Sequence, residues 1–225
     1  CALPIWDRLW SFIKKAGTIL FLACLVMWFL ASYGFEDGFG LVEDANNSLL
    51  AYVGNALRWI FIPLGWGGES GGWQSVASAI SGFSAKEGIV STLGVLANVS
   101  EELVEDEGAV SVAISTWFPT GIAAFSFLMF NLLDSPCLAA IATMANELKD
   151  RRWFWFAIVF QNVFAYITTL IVYQFGMLFV HGHFGVGTVF AIIFTVGILF
   201  GLFRPNPYAK EDALRRKTLA AASVM

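Results

Sequence analysis

Residues Trp153 to Phe179 read WFWFAIVFQNVFAYITTLIVYQFGMLF, a run without Asp, Glu, Lys or Arg that starts directly after Arg151-Arg152. A helix that crosses the hydrocarbon core of a bilayer needs about 20 mostly apolar residues, and this stretch exceeds that. Ala16 to Tyr33 and Val186 to Phe203 are equally free of charge, and the latter stops at Arg204-Pro205. Val110 to Leu133 is a fourth uncharged run, in which Pro119 and Gly121 predict a kink. A β-barrel would show alternating strands of about ten residues instead of such runs. The segments must satisfy their own backbone hydrogen bonds as helices.

The whole chain agrees with these runs. Its 225 residues are 58% hydrophobic, 16% aromatic and 13% charged, with mean hydropathy +0.71; soluble domains carry roughly 25% charged residues. A soluble enzyme and a disordered chain are excluded, and three cysteines are too few for a disulfide-stapled secreted domain. A net charge of -4 and a pI near 5.1 argue against nucleic acid as a partner. The fold class expected is an all-α integral membrane protein, a polytopic helical bundle of four to six spanning or half-spanning helices. The opening Cys1-Ala2-Leu3-Pro4-Ile5 has neither an initial Met nor a basic segment before an apolar one. It reads as the start of a fragment, not as a signal peptide.

Basic residues orient the bundle, because short cytoplasmic loops collect Lys and Arg. Arg8, Lys14 and Lys15 precede the first run, Lys149, Arg151 and Arg152 precede the third, and Arg204, Lys210, Arg215, Arg216 and Lys217 follow the last. The expected division is a cytoplasmic entry segment over 1–15, a transmembrane domain over 16–203 and a cytoplasmic basic tail over 204–225. The tail reads as an amphipathic helix near the lipid surface. The loop carrying Glu36, Asp37, Glu43 and Asp44 falls outside, and so does the turn His181 to Phe184. The acidic run Glu101, Glu102, Glu105, Asp106 and Glu107 sets topology weakly, and either side fits it. Most of the nine tryptophans cluster near proposed span ends, as an interfacial belt requires.

Leu57 to Leu96 does not read as a lipid-facing helix. It holds Pro63, many glycines, several serines and the ionisable pair Lys86-Glu87. Irregular backbone at membrane depth survives only where protein buries it or water reaches it, so a broken helix or re-entrant hairpin is expected. A charge at the bilayer centre costs about 2.5–3.5 kcal/mol even on the insertion scale. Lys86 and Glu87, adjacent on a helix, point about 100° apart and each needs another partner. The alternative is a cap or a snorkelling side chain. Cys137 follows Asp134-Ser135-Pro136. Either Asp134 or Ser135 as cap, with Pro136 at the first helical position, would put Cys137 in a first turn that favours the thiolate. The alternative is a small buried hydrophobe. Cys24 reads as core packing, and His181 with His183 as a solvated loop. Nucleophile-elbow, paired-cysteine and P-loop patterns are absent from the sequence.

Four segments carry a family resemblance. They are Trp6-Asp-Arg-Leu-Trp-Ser-Phe-Ile-Lys-Lys-Ala-Gly-Thr-Ile, Pro63-Leu-Gly-Trp, Gly82-Phe-Ser-Ala-Lys-Glu-Gly-Ile-Val-Ser-Thr-Leu-Gly-Val-Leu and Asp134-Ser-Pro-Cys-Leu-Ala-Ala-Ile-Ala. In order and spacing they resemble the C-terminal membrane region of the FeoB ferrous iron transporters over nearly the whole chain. The Ala-Lys-Glu and Pro-Cys segments are the specific parts. The resemblance implies broken or re-entrant Gate helices, the second of two Gate segments, and pore-forming membership of a GTP-regulated Fe2+ permease of the bacterial inner membrane. It also implies a GTPase domain and first Gate segment upstream, with GTP and Mg2+ bound there and no cofactor in this chain.

The implied partners are the lipid bilayer, ferrous iron, the GTPase domain, small Feo accessory proteins and a second copy of the chain. Cys137 would line the iron path, with Asp134 and Glu87 as further metal contacts and Lys86, Ser84 and Ser135 lining the pathway. A thiolate, carboxylates and hydroxyl or carbonyl oxygens suit Fe2+, and a transport site needs few ligands so that the ion can leave. Competing readings are a nucleoside-type or spore-maturation Gate protein that handles an organic solute, and an assembly subunit in which these residues only join helices. An enzyme has no nucleophile or catalytic cluster to rest on.

Overall fold

The computed structural model describes residues 3–35, 38–42, 44–68, 72–83, 86, 88–96, 115, 117–148, 150–182 and 184–204. The tail 205–225, the acidic run 101–107, Ser84, Glu87 and His183 lie outside the described residues.

The long uncharged runs become helices. α1 covers Leu3–Ser32, 30 residues and about 45 Å at 1.5 Å per residue. It starts well before the expected Ala16, because the basic residues ahead of the apolar run are themselves helix formers. On its outer side Phe21 and Trp28 are exposed, whereas Met27 and Leu30 pack on a small core of Leu50, Ala51, Trp73 and Ala77. A feature not expected follows: strands β1 (Tyr33–Phe35) and β2 (Phe39–Leu41) form an antiparallel hairpin with Tyr33 opposite Leu41. Gly34 fits there because a Cβ would stand 1.9 Å from the Asn47 carbonyl oxygen. Ser48 then caps α2 (Leu49–Phe61), its Oγ accepting from Ala51 N at 3.1 Å.

The Pro- and Gly-rich region is broken, as expected. α2 unwinds through a 3-10 turn at Ile62–Leu64 and ends on Gly65, whose φ of 93° is left-handed. Two short helices follow, α3 (Gly72–Gly82) and α4 (Gly88–Leu96), packed on one another. Neither, at 11 and 9 residues, is long enough to span a bilayer. Nine of the 11 residues of α3 are buried, among them Ser75, Ser78 and Ser81, so protein surrounds this helix on every side. Small residues are what allow backbones to approach so closely.

α5 runs Gly121–Leu133 and α6 runs Leu138–Glu147. Pro119 stands just before a helix start, where Thr120 caps α5 by accepting from Ala123 N at 3.2 Å; residues 110–114 and 116, on the other side of the expected kink, lie outside the described residues. α7 (Arg151–His181) and α8 (Val186–Phe203) match the expected spans, and Asp150 caps α7. Gly182, with φ 63°, closes α7. Three stretches are long and apolar enough to cross a membrane: Gly121–Glu147, which contains the α5–α6 break, Arg151–His181 and Val186–Phe203. The fold is an all-α polytopic membrane bundle.

The core lies where α2 ends and α3, α4, α5 and α7 meet. It comprises Leu64, Trp66, Val76, Ile89, Phe127 and Phe130 with their neighbours. The belt reading fails for Trp66, Trp73 and Trp117, which are buried. The turn at Gly65 directs Trp66 inward, where it stacks on Phe61 at 4.4 Å between ring centres and meets Phe127 edge-on at 5.1 Å. Cys24 departs from expectation in the opposite sense. It lies exposed on α1, because the packed face of that helix is the one carrying Ala23, Met27 and Leu30.

Candidate functional site: a crossing of two broken helices

Two helix breaks meet in the interior, one between α3 and α4 and one between α5 and α6. The first contains Phe83 and Lys86, and the second is Asp134 to Cys137. Gly82 permits the first, since a Cβ there would stand 2.7 Å from Ile89 Cδ1. Pro136 causes the second by removing an N–H and by holding the residue before it out of helical geometry. Asp134 is already extended, with φ -63° and ψ 179°, and ends α5.

This corrects the expected cap. Cys137, not Asp134 or Ser135, occupies the N-cap position of α6, and its side chain makes no capping hydrogen bond. Pro136 lies before the cap, so the Cys137 sulfur is not in the first turn. The Leu138 amide donates instead to the Phe83 carbonyl at 2.8 Å, which ties one break to the other.

Lys86 makes the second tie. Its Nζ donates to Asp134 Oδ1 at 2.6 Å and to the Asn131 carbonyl at 2.8 Å, with the Asp134 carbonyl at 3.4 Å. The side chain of Asp134 is 3% exposed and that of Lys86 33% exposed. A carboxylate so buried costs several kcal/mol without a partner, so the pairing is what makes Asp134 tolerable there. Carbonyls at the end of a helix have no intrahelical donor and carry the negative end of its dipole, which draws the ammonium to the same place.

α7 holds the second break from behind. Gln161 Nε2 donates to the Asp134 carbonyl at 3.1 Å, and Asn162 Nδ2 donates to Ser135 Oγ and to the Ile158 carbonyl at 2.8 Å. Asn131 is buried; its amide donates to the Phe127 carbonyl at 2.7 Å, while its Oδ1 has no partner. A recess of roughly 330 Å³ lined by Phe83, Phe130, Asn162 and Tyr166 opens on the α7 side. Another of roughly 430 Å³, lined by Ala23, Val26, Phe83 and Leu138, opens on the α1 side.

Of the residues singled out from sequence, the fold therefore joins Lys86 with Asp134 and places Ser135 and the half-buried Cys137 in the adjoining break. Ser84 and Glu87 fall outside the described residues. Among the described residues no group of three or more His, Cys, Asp and Glu stands together as a metal site. Asn131, Gln161 and Asn162 were missed. The available signal was a pair of adjacent amides, Gln161-Asn162, inside an otherwise apolar run, because such groups need partners at membrane depth.

The Gate family, described as nucleoside recognition, matches residues 13–151. The Fe(2+) transporter FeoB of Staphylococcus aureus (strain MSSA476) is 34% identical over 175 residues, 78% of this chain and 24% of its own length. The protein of the same name from Methanocaldococcus jannaschii is 30% identical over 178 residues, 77% of this chain and 25% of its own. A Fe(2+) transport protein A/Fe(2+) transporter FeoB fusion protein of Porphyromonas gingivalis is 25% identical over 218 residues, 78% of this chain and 25% of its own. The chain spans about a quarter of the length of these relatives. No solved structure matches it. More than half of the chain falls within the Gate match, and the Staphylococcus and Methanocaldococcus relatives, at 30% identity or more, are both named Fe(2+) transporter FeoB: the chain belongs to the Gate family, as the Gate region of an FeoB-type protein.

Proposed function

We propose that this chain forms the pore-lining C-terminal membrane part of a GTP-regulated ferrous iron transporter. The observation that carries the reading is the crossing itself. Two discontinuous helices meet inside the bundle, and carbonyls at the end of α5 and a carboxylate hold a cation there. Transporters place ions at such breaks, where backbone groups are free to coordinate and the surrounding protein excludes lipid. Fe2+ is the substrate. Asp134 and Cys137 are its contacts, with Glu87 a third from the neighbouring segment, and Lys86, Ser84 and Ser135 line the route. GTP and Mg2+ act in a separate domain of the full-length protein, which with small Feo proteins and a second copy of the chain makes up the partners. The bacterial inner membrane is the location, with the C-terminus on the cytoplasmic side.

Anaerobic uptake of radioactive Fe2+ into proteoliposomes holding the full-length protein tests this. Cys137→Ser is expected to lower the initial rate several-fold and Asp134→Asn by about tenfold or more, since loss of even an outer-shell partner of a metal ligand costs about 10–100-fold. Wild-type rates in both variants would defeat the assignment. The description of the Gate family favours one second reading, a nucleoside as substrate. Labelled nucleoside entering the same liposomes in place of iron would select it.

A further inference from the structure

We infer that the Lys86 ammonium is a tethered resident cation in a site that a divalent metal ion takes over, so that lysine and metal exclude one another at the end of α5. The transport reading above enters only in naming the ion that arrives.

The oxygens come from the last turn of α5 and the residue that ends it: the Asn131 carbonyl, the Asp134 carbonyl and Asp134 Oδ1. A carboxylate with main-chain carbonyls is the donor set that divalent cations of the Mg, Ca, Mn and Fe type accept. A further acceptor is close in sequence and already dehydrated, since Asn131 is 94% buried and its Oδ1 receives no hydrogen bond.

Several features mark Lys86 as a replaceable occupant and not a fixed strut. Its side chain is one-third exposed, whereas that of Asp134 is almost wholly enclosed. It projects from a turn in a helix break, not from a helix. Lysine is also a compact charge on a flexible stem, without the rigid two-point grip that arginine gives a carboxylate. When the metal enters, the ammonium withdraws along its stem and the charge at Asp134 stays compensated throughout.

Mn2+ titration of the purified full-length protein in lipid nanodiscs, read by calorimetry or electron paramagnetic resonance, tests the exchange. Lys86→Met is expected to bind Mn2+ about tenfold more tightly than wild type, as removal of a competing occupant of typical coupling strength would give. Lys86→Arg is expected to bind several-fold more weakly. Lys86→Met combined with Asp134→Asn is expected to lose the gain. A purely structural ion pair would not order metal affinity Met above Lys above Arg. Equal affinity in the three proteins, or a gain that survives Asp134→Asn, overturns the inference. Should Lys86→Met fail to fold, Lys86→Gln carries the same expectation; should both fail, the Arg variant and Asp134→Asn alone decide by weaker binding. If the wild-type protein moves no iron, the transport reading fails, and the affinity order still decides the exchange.

Discussion

Two helix breaks in this bundle are fastened in different ways. At Ile62–Gly65 the freed carbonyls go to neutral side chains. Tyr166 Oη donates to the Ile60 carbonyl at 2.8 Å, Gln174 Nε2 to the Pro63 carbonyl at 2.8 Å and Ser126 Oγ to the Leu64 carbonyl at 2.7 Å. At Asp134–Cys137 the corresponding carbonyls share an ammonium with a carboxylate. A neutral donor anchored on a packed helix has nothing to exchange with in an apolar interior. A charged donor on a turn can be replaced by another cation. The first break is thus a joint of fixed shape, and the second is a joint with a removable pin.

The largest way to break that contrast is to take out the pin. Lys86→Met strands a buried carboxylate and is expected to cost about 3 kcal/mol, the low end for a broken buried pair because the lysine is partly exposed. A thermal melt in detergent measures the loss, and Mn2+ is expected to restore part of it in this variant, since a ligand that binds only the folded form stabilises it. No loss, or a loss indifferent to Mn2+, would place the two joints in one class.

The fixed joint is next. Gly65→Ala forces a side chain onto a φ of 93° with its Cβ 2.2 Å from the Tyr173 ring, so about 2–3 kcal/mol is expected by the same melt. No metal effect should accompany it. The smallest expected change is Gln174→Leu. It removes the donor to the Pro63 carbonyl and the acceptor for Thr188 Oγ1, at about 1–2 kcal/mol. A metal-dependent recovery in either variant would erase the distinction.

Much of this bundle could be read from the chain. α7 and α8 follow from uncharged runs bounded by Arg152 and Arg204, and the irregular region follows from Pro63 and its glycines. Lys86 and Asp134 were each singled out as polar groups at membrane depth. Their pairing was not legible, because they are 48 residues apart and only the crossing brings them together. Reading Asp134 as a cap of the following helix missed that Pro136 also acts backwards, holding Ser135 out of the helix. Trp66 went astray for a similar reason. A tryptophan beside a Gly-rich turn reads as interfacial, and only the left-handed Gly65 sends it into the core.

α7 grips both joints. Gln161 and Asn162 hold the break at Asp134–Ser135, and Tyr166 and Gln174 hold the carbonyls of Ile60 and Pro63 at the other. Along a helix the outermost grips, Gln161 and Gln174, lie about 20 Å apart with Asn162 and Tyr166 between them, and at 3.6 residues per turn the four spread over roughly 220° of its circumference. A shaft pinned on that many sides cannot roll without stretching one of its hydrogen bonds. The length and register of α7 therefore set the spacing between the two joints.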